Sequence, residues 1–275
     1  MSAITTFQRP GVSLALHDGG GGGVPFVFQH GLCGSAAQTA EVTPGIAGIR
    51  PLTLECRSHG ASEAGDPAAF SIATFTNDVV ALIVERELAR AIVGGISMGA
   101  AIALRLAVLQ PDAVRALILA RPAWVVASGP ANMRPYGEVG ELLARHEPAK
   151  ARRLFLASET ARNLATEAPD NLASLTGFFD RAPLGVTAQL LTRIAADGPG
   201  VTPADLANIA CPVLIVGHHQ DLAHPFAACQ ELVQLIPHAR LVEITPKARD
   251  KAAYTSDFKA ALAAFLKDVL DGKAR

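Results

Sequence analysis

The chain has 275 residues, half of them hydrophobic and 18% charged, with a formal net charge of −1 at pH 7. This composition provides for a large buried core and excludes a disordered chain. It leaves no basic footprint for DNA or RNA and no basic amphipathic run for a membrane surface.

The first ten residues, Met1 to Pro10, lack the apolar segment of a signal peptide, and the longest charge-free apolar run near the centre, Ala91 to Leu104, is shorter than a membrane span. The expected location is the cytoplasm. Cys33, Cys56, Cys211 and Cys229 are scattered with no C-x-x-C spacing, so buried thiols are expected rather than disulfides or a zinc site.

Val12 to His17 alternates with period two and leads into five consecutive glycines, Gly19 to Gly23, read as a hairpin turn. Pro25 to Gln29 is a predicted strand ending in His30-Gly31-Leu32-Cys33-Gly34. Pro51 to Glu55 is another, ending in Cys56-Arg57-Ser58-His59-Gly60-Ala61-Ser62. A helix follows, with Ser71 as N-cap. Ala91 to Gly94 reads as a buried strand and Ala100 to Ala107 as a helix, and Val114 to Ala120 is the next strand. From about Pro122 to Ala210 strand-like runs vanish and helical stretches appear, among them 140–145 and 149–157, punctuated by Gly129-Pro130, Pro148, Pro169 and Gly198-Pro199-Gly200. Strands resume at Pro212 to Gly217 and Arg240 to Ile244, and an amphipathic helix from Asp257 to Leu270 closes the chain. Strands alternating with helices imply an α/β fold: a mostly parallel sheet with helices on both faces. Residues 1–121 and 211–275 form the expected core, and 122–210 an inserted helical cap.

The most telling stretch is Gly95-Ile96-Ser97-Met98-Gly99, between the fourth predicted strand and its helix. A strand that turns abruptly into a helix passes through a strained positive-φ residue, and small neighbours keep the turn free of clashes. Ser97 is thereby placed as a nucleophile beside the positive end of the helix.

These pieces, in this order, resemble the α/β-hydrolase superfamily over nearly the whole chain, closest in tone to its enol-lactonases, carboxylesterases and haloperoxidase-like proteins. His30-Gly31 resembles the family's oxyanion loop. Arg57 to Ser62 resembles its R-G-H-G-x-S loop with serine for the first glycine. Gly217-His218-His219-Gln220-Asp221-Leu222-Ala223-His224-Pro225 resembles the loop carrying the acid. The resemblance implies Ser97 as nucleophile, the N–H groups of Leu32 and Met98 as oxyanion hole, and Asp221 as the acid. His30 and His59 are expected to hold loops by hydrogen bonds, and Trp124, at the start of the cap, to line the pocket or pack.

The family's base is a histidine after the last strand. Here no histidine follows His238, and the corresponding position falls on Ala248 or Arg249, neither a usable base. The expectation is therefore a gap between Asp221 and Ser97, with Lys247, His219 and His224 as candidate replacements. Two readings stand. One is a serine hydrolase of an ester, lactone or related small acyl compound with an atypical or missing base and weak turnover. The other is a catalytically degenerate protein that binds a small ligand. A lyase or cofactor-free oxygenase using the same pocket is a third, lesser alternative. No cofactor or metal is expected, and the expected partner is a small-molecule substrate, without nucleic acid or membrane.

Overall fold

The computed structural model describes residues 3–88 and 90–274. One eight-stranded sheet runs through it in the order β1-β2-β4-β3-β5-β6-β7-β8. The strands are β1 (Ala3–Arg9), β2 (Val12–Asp18), β3 (Val24–Gln29), β4 (Ile49–Leu54), β5 (Ala91–Ile96), β6 (Val114–Ala120), β7 (Val213–Gly217) and β8 (Ala239–Glu243). β1 and β2 are antiparallel to their neighbours, and from β4 to β8 every pairing is parallel.

The central strands alternate between two cores. In β6, Leu117 and Leu119 join one cluster while Ala116, Ile118 and Ala120 join the other, and β3 and β5 divide their side chains in the same way. Successive side chains of a strand point to opposite faces, so a strand covered on both sides reads as continuously apolar. On one face lie α2 (Ile72–Glu85) and α3 (Met98–Leu109). On the other lie α1 (Ala36–Val42), whose Val42 joins that core, and α11 (Lys251–Leu270), which presents Phe258, Leu262, Phe265 and Leu266 to Phe26, Phe28, Ile118 and Leu214. Truncating a phenylalanine as buried as Phe258 typically costs about 3–5 kcal/mol. The last helix is longer than expected: it starts at Lys251, where Asp250 accepts the Ala253 N–H.

The glycine run is not a hairpin. β2 and β3 are not neighbours, because β4 lies between them and pairs with both. The run instead arches over β4, where Gly19 N–H donates to Pro51 O and Val24 N–H to Gly48 O, and a Cβ on Gly23 would sit 2.7 Å from the Gly48 carbonyl carbon. Period-two patterning marks strands but carries no information on which strands pair. β1, not anticipated, pairs with β2 through a turn at Gly11, whose φ is +72°.

Between β6 and β7 the described residues carry only helices: α4 (Arg134–Arg145), α5 (Pro148–Leu156), α6 (Glu159–Glu167), α7 (Pro169–Gly177), α8 (Leu184–Ala196), α9 (Pro203–Ala207) and two short 3-10 turns. α4 packs against α8 at Gly140, where a Cβ would lie 2.8 Å from Ala188 O. Asp197, just past α8, ties this segment to the sheet, because its carboxylate accepts the Ile72 N–H at the start of α2 and its carbonyl accepts Trp124 Nε1–H. Past β7, α10 (Phe226–Leu235) begins directly after the loop that carries Asp221 and His224. No helix among the described residues is long and apolar enough to cross a membrane.

Candidate active site

Ser97 sits at the turn from β5 into α3, with φ 56° and ψ −112°. A non-glycine residue there is strained by about 1–3 kcal/mol, and the surroundings must impose it. They do so through the glycines. A Cβ on Gly95 would lie 2.6 Å from Gly99 O, and one on Gly99 would lie 2.6 Å from the Gln29 carbonyl carbon and 2.8 Å from His30 O. Backbone from three segments therefore meets at distances that no side chain tolerates. The Ser97 N–H is anchored to Ala120 O of β6 at 2.9 Å.

No histidine follows β8, as read from the sequence, but the gap expected between Asp221 and Ser97 is filled by His224, from the loop after β7. His224 Nε2 lies 2.8 Å from Ser97 Oγ, and its Nδ1 lies 2.9 Å from both carboxylate oxygens of Asp221. Nothing stands empty between acid and serine. The acid and this imidazole belong to one loop and are three residues apart, and the His224 N–H also donates to Asp221 Oδ1 at 3.1 Å. Gln220, immediately before Asp221, takes a left-handed φ of 62°. In the tautomer that carries its proton on Nδ1, the imidazole donates to Asp221 and accepts a hydrogen bond from the Ser97 hydroxyl at Nε2.

Long-range contacts fix this loop. Asn171 Oδ1 of α7 accepts the Ala223 N–H at 3.0 Å, and Asn132 Nδ2 donates to Ala223 O at 2.8 Å and to Ala123 O at 2.9 Å. Ala223, the residue before His224, is thus held through both its N–H and its C=O from the helical segment. From β6's end, Arg121 donates through Nε to Asp221 Oδ2 at 2.8 Å and through Nη1 to Tyr254 OH at 3.4 Å, with Nη2 3.2 Å from His224 Nδ1. Neither asparagine nor Arg121 was singled out from sequence. Arg121 is the first charged residue after the apolar run 116–120, the one signal that marks it.

The charges oppose one another. Burial works to raise the Asp221 carboxyl, but Arg121 and then His224 overcome it and hold the carboxylate well below the usual range. Burial lowers the His224 imidazole, Asp221 raises it and Arg121 lowers it, with the balance below the ordinary value. A neutral imidazole at pH 7 is the form a general base requires.

The His-Gly loop abuts the serine: a Cβ on Gly31 would lie 3.5 Å from Ser97 Cβ. Among the hydrogen bonds of the described residues, the N–H groups of Leu32 and Met98 have no protein acceptor. Behind this loop, His30 Nε2 accepts the Cys56 N–H at 3.0 Å and His59 Nε2 accepts the Cys33 N–H at 2.9 Å. Their Nδ1 atoms lie 2.9 Å from the carbonyls of Gly31 and Arg57. Both rings are wholly buried and hold one loop to the other, and burial keeps both neutral. Burial likewise pushes the Cys33 thiol up to about 12, so no thiolate competes with Ser97. The four cysteines are free thiols, and among the described residues no cluster is arranged to hold a metal.

The other candidates lie elsewhere. His219 is exposed, with Nε2 3.8 Å from Glu243. Lys247 is half-buried in the loop after β8 and makes no hydrogen bond to Ser97 among the described residues. Trp124 is 2% exposed, packed within the core, and spends its single N–H on Asp197 O.

A family model described as alpha/beta hydrolase fold matches residues 24–250. Among curated proteins, a putative carbamate hydrolase RutD of Pseudomonas savastanoi is 28% identical over 222 residues, covering 78% of this chain and 83% of its own. A putative non-heme bromoperoxidase BpoC of Mycobacterium tuberculosis is 29% identical over 240 residues, covering 85% and 89%. Among solved structures, the enol-lactonase of Burkholderia xenovorans LB400 superposes with a TM-score of 0.69 at 25% identity, covering 97% of this chain and 98% of its own. The esterase EaEST of Exiguobacterium antarcticum reaches 0.73 at 19% identity, covering 97% and 100%, a likeness of fold alone.

Proposed function

We propose a reaction for a chain that belongs to the α/β-hydrolase fold family: hydrolysis of an ester, lactone or related small acyl bond, with Ser97 as nucleophile, His224 as base and Asp221 as the acid that orients it. The observation that carries it is the unbroken chain Ser97 Oγ–His224 Nε2–Asp221, at 2.8 and 2.9 Å. The relatives support the bond class, since they include proteins described as a carbamate hydrolase and an enol-lactonase.

Ser97 Oγ attacks the acyl carbon while His224 Nε2 takes its proton. The carbonyl π pair moves onto oxygen, and the N–H groups of Leu32 and Met98 receive that charge. One such donor is typically worth about 3 kcal/mol in the transition state. Collapse of the intermediate expels the alcohol oxygen, which takes the proton from His224. Water then attacks the acyl-enzyme with His224 again as base, releasing the acid and restoring Ser97. Trp124 enters this reading through packing, its N–H already engaged.

The alternative, a binding protein without turnover, rested on an empty base position, and His224 weighs against it. With an acid available for the leaving group, alkyl esters and lactones turn over as well as activated esters.

A fluorophosphonate probe and 4-nitrophenyl acetate test the assignment. Ser97→Ala and His224→Ala each lower kcat/KM by about 10⁴-fold and abolish labelling. Lys247→Ala and His219→Ala leave both intact. Labelling of His224→Ala at the wild-type rate overturns the assignment.

A further inference from the structure

Arg121 is a buried cation that the hydrolytic steps do not use. It comes from the end of β6, where its own φ is 45°, and its side chain is 8% exposed. It reaches Asp221 Oδ2 through Nη2 at 2.6 Å as well as through Nε, and the same Nη2 stands 3.2 Å from the imidazole. A guanidinium only donates and never gives up its charge. It is therefore a fixed positive charge against the one imidazole that must stay unprotonated to act as base.

The other groups facing this centre divide in sign. Asp221 on the same loop, and Asp170 from α7, favour a protonated His224. Lys247, from the loop after β8, faces Arg121 and adds to the cationic side. His218, at the end of β7, has Nε2 3.7 Å from Asp221, and burial keeps it neutral. Tyr254 of α11 accepts a hydrogen bond from Arg121 Nη1, and burial raises the hydroxyl of Tyr136 of α4. Among the described residues, Arg121 alone places a full positive charge in contact with the imidazole. It also ties up one carboxylate oxygen, which leaves Asp221 less free to stabilise an imidazolium.

We infer that Arg121 is a positioning residue that aligns Asp221 and keeps His224 neutral in acid, so that the hydrolase works well below the pH at which a triad without such a cation stops. The inference rests on His224 as base, and its own tests read the imidazole separately from turnover. The Nδ1 proton remains with Asp221 rather than yielding to the guanidinium, because two carboxylate oxygens at 2.9 Å are the closer and anionic partners.

The experiment is the pH dependence of kcat/KM on 4-nitrophenyl acetate for the wild type, Arg121→Gln and Arg121→Lys, with ¹⁵N NMR titration of His224 in the wild type and in Ser97→Ala. Removing a charge at this distance moves a titration by about 1–3 pH units. In Arg121→Gln the acid limb therefore rises by that amount, while Arg121→Lys, which keeps the charge, shifts it by less than half as far. In the wild type the His224 ring titrates below the ordinary histidine value of about 6.5. An unmoved limb in folded Arg121→Gln overturns the inference. Should that variant fail to fold, wild-type titration of His224 at or above 6.5 overturns it equally. If Ser97→Ala retains full turnover, the catalytic assignment fails, yet the NMR titration still decides the role of Arg121.

Discussion

The two halves of the proposed active site are built by different means. The elbow that carries Ser97 is held by close backbone approach within short stretches: Gly95, Gly99 and the Gln29–His30 carbonyls leave no room for another shape. The loop that carries Asp221 and His224 has no comparable steric mould. Its shape comes from side chains far along the sequence, Arg121 at the end of β6 and Asn132 and Asn171 in the helical segment. Local crowding writes itself into composition as glycine, whereas a loop held by distant hydrogen bonds looks like any polar loop.

The loop breaks hardest at its charge pair. Asp221→Asn leaves Arg121 buried without its anion, and loss of one partner of such a pair typically costs about 3–5 kcal/mol. At roughly 2–4 °C per kcal/mol for a chain of this size, thermal unfolding falls by about 6 °C or more. A drop under 2 °C would show that Arg121 finds another partner.

Next comes the elbow. Gly99→Ala drives a methyl group into the Gln29 and His30 carbonyls, and overpacking against backbone costs about 3 kcal/mol. The urea midpoint falls accordingly, and Ser97 labelling is lost even in the folded fraction, because the strained φ is no longer imposed. Full labelling at wild-type stability would mean that the elbow yields and the steric account is wrong.

The smallest effect separates holding the loop from holding the fold. Asn171→Ala leaves the Ala223 N–H without its acceptor, a loss of about 1–2 kcal/mol. Because that peptide precedes His224, kcat falls more than KM changes. Equal loss in Asn171→Ala and in a surface control would remove the loop-clamping role.

The same contrast explains what the sequence made legible. The elbow and the buried strands of the sheet follow from spacing, apolar runs and glycine, and the structural places of His30 and His59 from the family resemblance. His224 stood among the candidates, yet a gap was expected, because whether His224 turns toward Asp221 depends on the backbone at Gln220 and on Arg121, and neither is visible as a pattern. The glycine run failed for a related reason: chain neighbours β2 and β3 are parted by β4, a fact of three-dimensional pairing. The start of α11 at Asp250 is not legible because, of the six residues 251–256, only Tyr254 is buried, too little apolar periodicity to mark a helix.

In the proposed site Asp221 and His224 ride on one loop, with their mutual hydrogen bonds closed inside it. A rigid tilt of that loop changes the distance to Ser97 and leaves the acid–base geometry untouched. The centre then has a single moving joint, between the imidazole and the serine hydroxyl, where a site drawing acid and base from separate loops has two. Thermal motion reaches the proton transfer along one coordinate, and the β8–α11 connection is freed from catalytic duty, so substitutions, insertions or an appended segment there leave the chemistry in place.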